Sequence, residues 1–296
     1  MSVMQDMGAR AMALGIPLSV QLDLTYRCNE RCIHCYLDHE DHGEMTTAEI
    51  LGLLDQLAAA GVFFLNVSGG EIFMRPDLFT IIEHARKLQF SVKLKTNGVM
   101  IREAKARRIA ALGVEAVQIS LYSHDAATHD EITKLRGSFK RTVEGARLLR
   151  DAGVKVIFAN VLMQQNADHY KQVQALAAEM GIRYEVDATI TPMMDGDRRI
   201  VALNMDGGRL AAIMHDTTLL GDQAERLLAA PSGPTPLDEA YKTLPCSAGH
   251  TACYVSPYGD VFPCVQFPFK VGNVREQPFI DIWKHSPELN EVRAIR

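Results

Sequence analysis

The sequence predicts an α/β protein, a partial (β/α)6 barrel followed by a small C-terminal module. From residue 18 to about residue 190, short apolar, β-branched segments alternate with longer helical segments. Several helical segments end at a glycine just before the next strand, as expected for a left-handed C-cap: Gly61, Gly113, Gly153 and Gly181. Six such strands indicate parallel βα units with right-handed crossovers, and they are too few to close an eight-stranded barrel.

The individual elements follow from local composition. Strands are predicted where apolar and β-branched residues cluster, at Ser19–Leu24, Phe63–Val67, Ser91–Lys95, Ala116–Leu121, Lys155–Asn160 and Tyr184–Ile190. Helices are predicted between them, at Thr47–Ala60, Pro76–Leu88, Arg102–Leu112, Phe139–Ala152 and Ala167–Met180. In folds of this kind, functional residues gather at the C-terminal ends of the strands.

The pattern divides the chain into four segments. They are an N-terminal extension (1–17), a barrel core (18–190), a linker region (191–245) and a small module (246–296). The linker region contains one helical stretch near Leu210–Leu220. In the small module we expect a hairpin that turns at Tyr258 and Gly259, followed by helix.

Composition excludes several classes of protein. The chain has 296 residues, of which 47% are hydrophobic and 23% charged, with a net charge of −5. These values are ordinary for a globular protein of one or two domains. No basic run predicts a nucleic-acid partner, and no apolar stretch of about 18 residues lacks charges, so no membrane span is expected. The N-terminus lacks the order of a secretory signal, so we expect a cytoplasmic protein.

The cysteines fall into two groups far apart in the chain. The first is Cys28-x3-Cys32-x2-Cys35, directly after the first predicted strand. Three thiolates can hold three irons of a [4Fe–4S] cubane and leave the fourth iron open to a substrate or cofactor. A zinc site that uses His34 as fourth ligand is a poorer alternative, because His34 lies inside the tight loop. A disulfide framework is poorer still, because six cysteines in 296 residues are sparse.

A glycine-rich loop follows the second predicted strand and reads Ser68-Gly69-Gly70-Glu71. Glycines there allow close approach of a ligand to free backbone groups. Alone, such a loop is most often a plain turn. Because neighbouring strand ends lie side by side, however, we expect this loop to face the open iron.

These two motifs at consecutive strand ends resemble the radical SAM superfamily over residues 18–190. The resemblance implies that Cys28, Cys32 and Cys35 ligate a [4Fe–4S] cluster and that S-adenosylmethionine chelates its open iron. Reductive cleavage would then release a 5′-deoxyadenosyl radical. It also implies that His34 packs near the adenine. The 68–71 loop would receive the methionine amino group.

Further strand ends offer polar contacts to the cofactor. The candidates are the Thr96-Asn97-Gly98 turn after the third strand, Ser120 after the fourth and Asn160 after the fifth. For each of them an ordinary strand-end turn is an equal alternative. Arg136 and Arg141 are weaker candidates for pairing with the cofactor carboxylate, because surface charge explains either of them as well.

The second cysteine group resembles the opening of a SPASM-type auxiliary-cluster domain. Cys246 is followed by twelve residues, Gly259, four residues and Cys264, and Gly272–Trp283 resembles the helix that comes next in such domains. Cys253 is either a third ligand or a buried apolar residue, and a zinc site that includes His250 is an alternative.

Such domains usually continue with more cysteines, and none follows Cys264 in this sequence. We therefore expect a truncated or incomplete auxiliary site, with one stable cluster and at most a labile second one. We also expect a loosely held chain beyond Gly272.

The resemblance implies radical chemistry on a ribosomally made peptide, since SPASM-type extensions occur in peptide maturases. The segments "SLYSHDAATHDEIT" and "ITPMMDGDR" also resemble that branch. The alternatives are a radical SAM enzyme that modifies a tetrapyrrole or small molecule, and a non-catalytic iron- or zinc-binding scaffold. The implied partners are a low-potential electron donor such as flavodoxin or ferredoxin and, because residues 1–17 are too short to recognise a leader, a separate leader-binding protein.

Overall fold

The computed structural model describes residues 3–220 and 246–295, which form one mixed sheet covered by helices. The strands are β1 (Ser19–Asp23), β2 (Phe64–Ser68), β3 (Ser91–Thr96), β4 (Ala116–Ser120), β5 (Val156–Val161), β6 (Arg183–Asp187), β7 (Ala252–Val255), β8 (Asp260–Phe262) and β9 (Gly272–Asn273). Their order across the sheet is β6-β5-β4-β3-β2-β1-β7-β8-β9. Since β6 and β9 are edges, the barrel is open, which confirms the predicted partial (β/α)6 barrel.

The helices follow the strands in the expected alternation. They are α1 (Val3–Leu14), α2 (Thr47–Ala59), α3 (Leu78–Lys87), α4 (Glu103–Leu112), α5 (Ala126–Thr133), α6 (Ser138–Asp151), α7 (Tyr170–Glu179), α8 (Gly207–Met214), α9 (Thr217–Leu220), α10 (Phe279–His285) and α11 (Pro287–Ala294). The four predicted glycine caps all have positive φ, between 59° and 91°. This conformation ends a helix without the steric cost that a side chain would bring.

Strand alternation separates the core from the barrel interior. Val20 and Leu22 of β1 are fully buried among the apolar side chains of α2, including Ile50 and Leu53. Gln21, which lies between them in sequence, points to the opposite face. The same alternation on β2 to β5 leaves every second side chain on the inner face of the sheet.

The C-terminal module continues the main sheet. Its first strand, β7, pairs in parallel with β1, and β8 and β9 then add in antiparallel fashion. The predicted hairpin is confirmed, since Gly259 turns the chain with φ +87° between β7 and β8. The sequence did not indicate that the module shares the sheet of the barrel core.

The expectation of a loosely held chain beyond Gly272 is wrong. Phe279 and Trp283 of α10 are buried in the main hydrophobic core. The backbone N–H of Phe279 donates to Gln56 of α2 at 2.8 Å, and the Trp283 indole donates to the Gly15 carbonyl at 2.6 Å. Apolar packing and these two hydrogen bonds therefore hold this segment in place.

The segment interpreted as a linker is only partly described. Residues 191–220 contain a short 3-10 turn (Arg199–Leu203), α8 and α9. Met205 and Ile213 pack against Leu162 after β5, so this part covers one edge of the barrel. Residues 221–245 lie outside the described residues. None of the helices described is long and apolar enough to cross a membrane.

Candidate active site

The C-terminal ends of β1 to β6 surround a cavity of about 360 Å³. Most of the residues predicted from sequence line it: Cys28, Cys32, His34, Cys35, Ser68, Gly69, Gly70, Thr96, Asn97 and Ser120. They come from four consecutive βα units, because parallel strands present their C-terminal ends at one edge of the sheet. The structure therefore brings the cysteine loop and the glycine loop to one site.

A helix that the sequence analysis did not predict supports the cysteine loop. The backbone N–H groups of Arg31 and Ile33 donate to the carbonyls of Thr133 and Ile132, at the end of α5, both at 3.0 Å. Asp125 caps the start of α5 through the N–H of Thr128. The loop is thus held from outside the barrel as well as from β1.

The environment of the three thiols disfavours their ionised form unless a metal cluster binds it. Burial raises the pKa of Cys28 to about 12 and that of Cys35 to about 11, and it raises the pKa of Cys32 well above its usual range. A positive metal centre removes this penalty, because it binds the thiolate form. The described residues hold no group of three His, Cys, Asp or Glu side chains arranged around a single metal ion. Thiols that serve three separate irons do not need that convergence, whereas a mononuclear zinc site does.

Unpartnered polar atoms in the cavity wall fit a polar cofactor. Glu30 Oε1 and His34 Nδ1 are buried and form no hydrogen bond within the described part of the chain. Burial lowers the pKa of His34 to about 4, so its ring is neutral, and it lies edge-on to Tyr122 with centroids 4.8 Å apart. Buried polar groups normally have hydrogen-bond partners, so these two atoms indicate a bound polar ligand. The polar groups of S-adenosylmethionine could serve as those partners.

The glycine loop packs directly on the segment that leads into the cysteine loop. The N–H of Gly70 donates to the Thr25 carbonyl at 2.8 Å, and that of Glu71 donates to the Arg27 carbonyl at 2.9 Å. A Cβ on Gly70 would lie 2.4 Å from the Arg27 carbonyl oxygen. The sequence analysis explained this glycine by close approach of the cofactor to the backbone. In the structure, glycine is needed because the 68–71 loop packs closely against the backbone of residues 25–27.

Glu71 itself is turned away from the cavity. Its buried carboxylate accepts hydrogen bonds from Thr96 Oγ1 at 2.8 Å, from the N–H of Asn97 at 2.9 Å and from the N–H of Phe73 at 3.0 Å. Asn97 Nδ2 in turn donates to Asn29 Oδ1 at 2.9 Å, inside the cysteine loop. Glu71 therefore positions the end of β3, and through Asn97 it reaches the cysteine loop.

Asn160 is a correction to the sequence analysis. Ala159 and Val161 line the cavity, and Asn160 points to the other face of β5 because successive side chains alternate. Its amide donates to the Tyr184 hydroxyl at 3.2 Å and accepts from Asn166 at 3.4 Å. Asn160 therefore has a structural place outside the cavity.

The two arginine candidates also lie outside the cavity lining. Arg141 donates to the carbonyls of Gly137 and Arg136, at 3.0 and 2.9 Å, and so braces the turn before α6. Arg136 is exposed. Arg136 therefore fits the surface interpretation, whereas Arg141 is half-buried and serves the local turn.

Sequence reasoning missed a hydrogen-bonded chain on the inner face of the sheet. The Tyr26 and Tyr254 hydroxyls are 2.7 Å apart, and Tyr254 donates to Asp23 Oδ2 at 3.1 Å. Gln21 Nε2 donates to Asp23 Oδ1 at 3.2 Å, and Lys95 Nζ donates to Gln21 Oε1 at 2.9 Å. The chain connects the base of the cysteine loop, β7 of the module and the cavity wall.

Asp23 gives a testable pH dependence. Burial raises the pKa of its carboxyl to about 6, above the ordinary 3.8. The folded state therefore binds this proton more tightly than the unfolded state, and the resulting stability is present below about pH 4 and is lost as the pH rises through about 6. Between these values we expect the unfolding free energy of the wild type to fall by up to about 3 kcal/mol relative to that of Asp23→Asn. Chemical denaturation of both proteins across this range measures the difference, and parallel curves would contradict it.

The three C-terminal cysteines do not share one environment. Cys253 lies opposite Val20 in the β1–β7 pairing and is buried in the core on the helix-covered face. Cys264 is half-buried, and the next two residues, Val265 and Gln266, line the cavity. Cys246 is exposed. The contacts thus favour the buried apolar role for Cys253. The expected iron content of about four per chain after anaerobic reconstitution and desalting stays a prediction.

Comparison with known proteins agrees with this geometry. The radical SAM superfamily model matches residues 22–177, and a SPASM model, described as an iron-sulfur cluster-binding domain, matches residues 246–296. The chain therefore belongs to the radical SAM superfamily. It is a radical SAM enzyme whose cofactors are a [4Fe–4S] cluster and S-adenosylmethionine, and the SPASM match adds a domain of the kind that holds auxiliary clusters.

Individual relatives cover nearly the whole chain. It is 30% identical over 298 residues to the AdoMet-dependent heme synthase of Methanosarcina barkeri, covering 94% of this chain and 85% of that protein. It is 31% identical over 300 residues to the mycofactocin maturase MftC of Mycobacterium tuberculosis, covering 95% and 73%. The structure of Streptococcus suis SuiB bound to precursor peptide SuiA has the same fold, with a TM-score of 0.73, 19% identity and coverage of 97% and 70%.

Proposed function

We propose that this enzyme abstracts a hydrogen atom from a ribosomally made peptide. The observation that carries the proposal is the similarity to mycofactocin maturase MftC, which runs through both the barrel and the C-terminal module. When bound, the cluster and S-adenosylmethionine supply a 5′-deoxyadenosyl radical that takes the hydrogen atom.

The residues of the site take separate roles in this proposal. Cys28, Cys32 and Cys35 hold the cluster. The cofactor is bound by the remaining polar and glycine residues of the cavity wall: His34, Ser68, Gly69, Gly70, Asn97 and Ser120. Glu71 acts as a positioning residue, because its carboxylate fixes the turn that carries Asn97. We assign the barrel core to residues 18–190 and the auxiliary module to 246–296.

A tetrapyrrole substrate is the second candidate. It is favoured by the similarity to AdoMet-dependent heme synthase, whose length this chain covers most fully among the three proteins compared. The non-catalytic scaffold is disfavoured, since the chain belongs to an enzyme superfamily. In either case we propose a cytoplasmic enzyme that takes electrons from flavodoxin or ferredoxin. A separate leader-binding protein would serve a peptide substrate.

Isotope transfer tests the proposal directly. The protein is reconstituted anaerobically with iron and sulfide and is then given dithionite, S-adenosylmethionine and one deuterated substrate at a time. The substrates are peptides encoded beside its gene and, separately, a propionate-bearing porphyrin. We expect deuterium from a peptide to appear in 5′-deoxyadenosine. Deuterium from the porphyrin alone would replace the first candidate with the second.

A further inference from the structure

Lys95 is a cation on the cavity wall whose charge has no direct partner among the described residues. It follows Leu94 on β3, and its side chain lines the cavity together with Gln21 and Gln118. Its ammonium donates to Gln21 Oε1 at 2.9 Å. Within the described residues it forms no ion pair at 4.0 Å or less. An ammonium has three donors, so two remain for a ligand.

The neighbouring carboxylates form no direct ion pair with Lys95 within the described residues. Asp23 receives hydrogen bonds from Gln21 and Tyr254 and reaches Lys95 only through the Gln21 amide. Asp187, at the end of β6, lines the same cavity, and burial lowers the pKa of Lys95 while the charges of Asp23 and Asp187 oppose that shift. Between β3 and β6, Gln118 of β4 donates its amide to Glu185 at 3.0 Å. Lys95 is half-buried, and a partly desolvated cation without a direct ion pair would be stabilised by an anionic ligand at this point.

Lys95 lies deeper in the cavity than two of the predicted cofactor contacts. It precedes Asn97 by two residues, which is about 6.6 Å along a strand, towards the interior of the barrel. His34 and Asn97 lie in loops above it, whereas Ser68 follows Val67, the partner of Leu94, and is therefore level with Lys95. A ligand group that reaches Lys95 has passed below the loops that carry His34 and Asn97.

We propose that Lys95 binds a carboxylate of the substrate and thereby sets its position in the cavity. The proposal rests on the proposed function for the origin of that carboxylate. In a peptide it is an acidic side chain or the C-terminus, and in a tetrapyrrole it is a propionate. A charge-assisted hydrogen bond of this kind is expected to change binding about tenfold.

Binding of matched probes to the reconstituted holoenzyme with S-adenosylmethionine tests the proposal. Three pools of N-acetylated heptapeptides have random flanking residues free of Asp and Glu. One pool has a central Glu and an amidated C-terminus, the second a central Gln and a free C-terminus, and the third a central Gln and an amide. The third pool is the neutral counterpart of the other two, and coproporphyrin with its tetra-amide forms the third comparison. Wild type, Lys95→Met and Lys93→Met are compared, because Lys93 is on the same strand and face but outside the cavity lining.

We expect at least one carboxylate probe to be retained about tenfold more than its neutral counterpart by the wild type and by Lys93→Met. The ratio should fall to about one in Lys95→Met. The probe that shows the effect identifies the source of the carboxylate.

The failures are distinguishable. Equal retention of charged and neutral peptide pools by the wild type overturns the role of Lys95 while peptide binding stands. Retention of coproporphyrin over its tetra-amide, with no peptide pool retained, keeps the carboxylate role and assigns the carboxylate to a propionate. A ratio unchanged in Lys95→Met, or a loss only of S-adenosylmethionine affinity, overturns the inference. Retention of none of the probes overturns the inference, and the isotope-transfer experiment then decides the substrate class independently.

Discussion

Cys32→Ala is expected to abolish cleavage of S-adenosylmethionine. Cys32 is the middle of the three thiols in the loop. Its removal leaves only two thiols, and the cubane needs three. The loop is also tied to α5 on both sides of Cys32, which fixes the position that this ligand must occupy. Formation of 5′-deoxyadenosine under anaerobic conditions with dithionite should fall to background, and bound iron should be lost with it.

Cys253→Ala is the matched control for this variant. Cys253 is also buried, but in the apolar core on the helix-covered face of β7. Its replacement should cost stability on the order of 1 kcal/mol and leave cleavage intact. Full cleavage by Cys32→Ala would contradict the three-thiol site. Loss of cleavage in both variants would mean that Cys253 also acts on the catalytic cluster.

The main strands and helices were predictable because their periodicity is local. Each predicted strand overlaps an observed one, and each predicted helix begins and ends within a few residues of its counterpart. Strand β7 was not predicted as part of the sheet, since its pairing with β1 joins distant parts of the chain. Helix α5 was missed because it is short, and only its Asp125 cap marks its start.

The site was predictable where motif and strand end coincide. The prediction for Asn160 is wrong because β5 continues to Val161, so Asn160 is not the last residue of the strand. A shift of one residue places a side chain on the opposite face of a strand. Lys95 and Gln21 were missed for a related reason. Polar residues that alternate with apolar ones suggest an exposed face, and only barrel curvature places that face inside a cavity.

Gly70→Ala is expected to be strongly damaging although it adds only one carbon atom to the site. The added Cβ would lie 2.4 Å from the Arg27 carbonyl oxygen and 2.6 Å from that of Tyr26. Both neighbours are backbone atoms at the base of the cysteine loop, so the loop must move for the methyl group to fit. Overpacking of this kind costs about 1–3 kcal/mol. It should also displace Cys28, which follows Arg27 directly.

Two quantities are therefore measured: the iron bound after anaerobic reconstitution, and the temperature of thermal unfolding. We expect Gly70→Ala to lose most of its iron and to unfold at a lower temperature. Gly52→Ala is the control, because Gly52 is inside α2 and a Cβ there meets nothing within 4 Å. That change should raise stability by about 0.5–1 kcal/mol and leave the iron content unchanged. If Gly70→Ala keeps its iron and loses only S-adenosylmethionine affinity, the glycine serves the cofactor directly and the backbone contact is secondary.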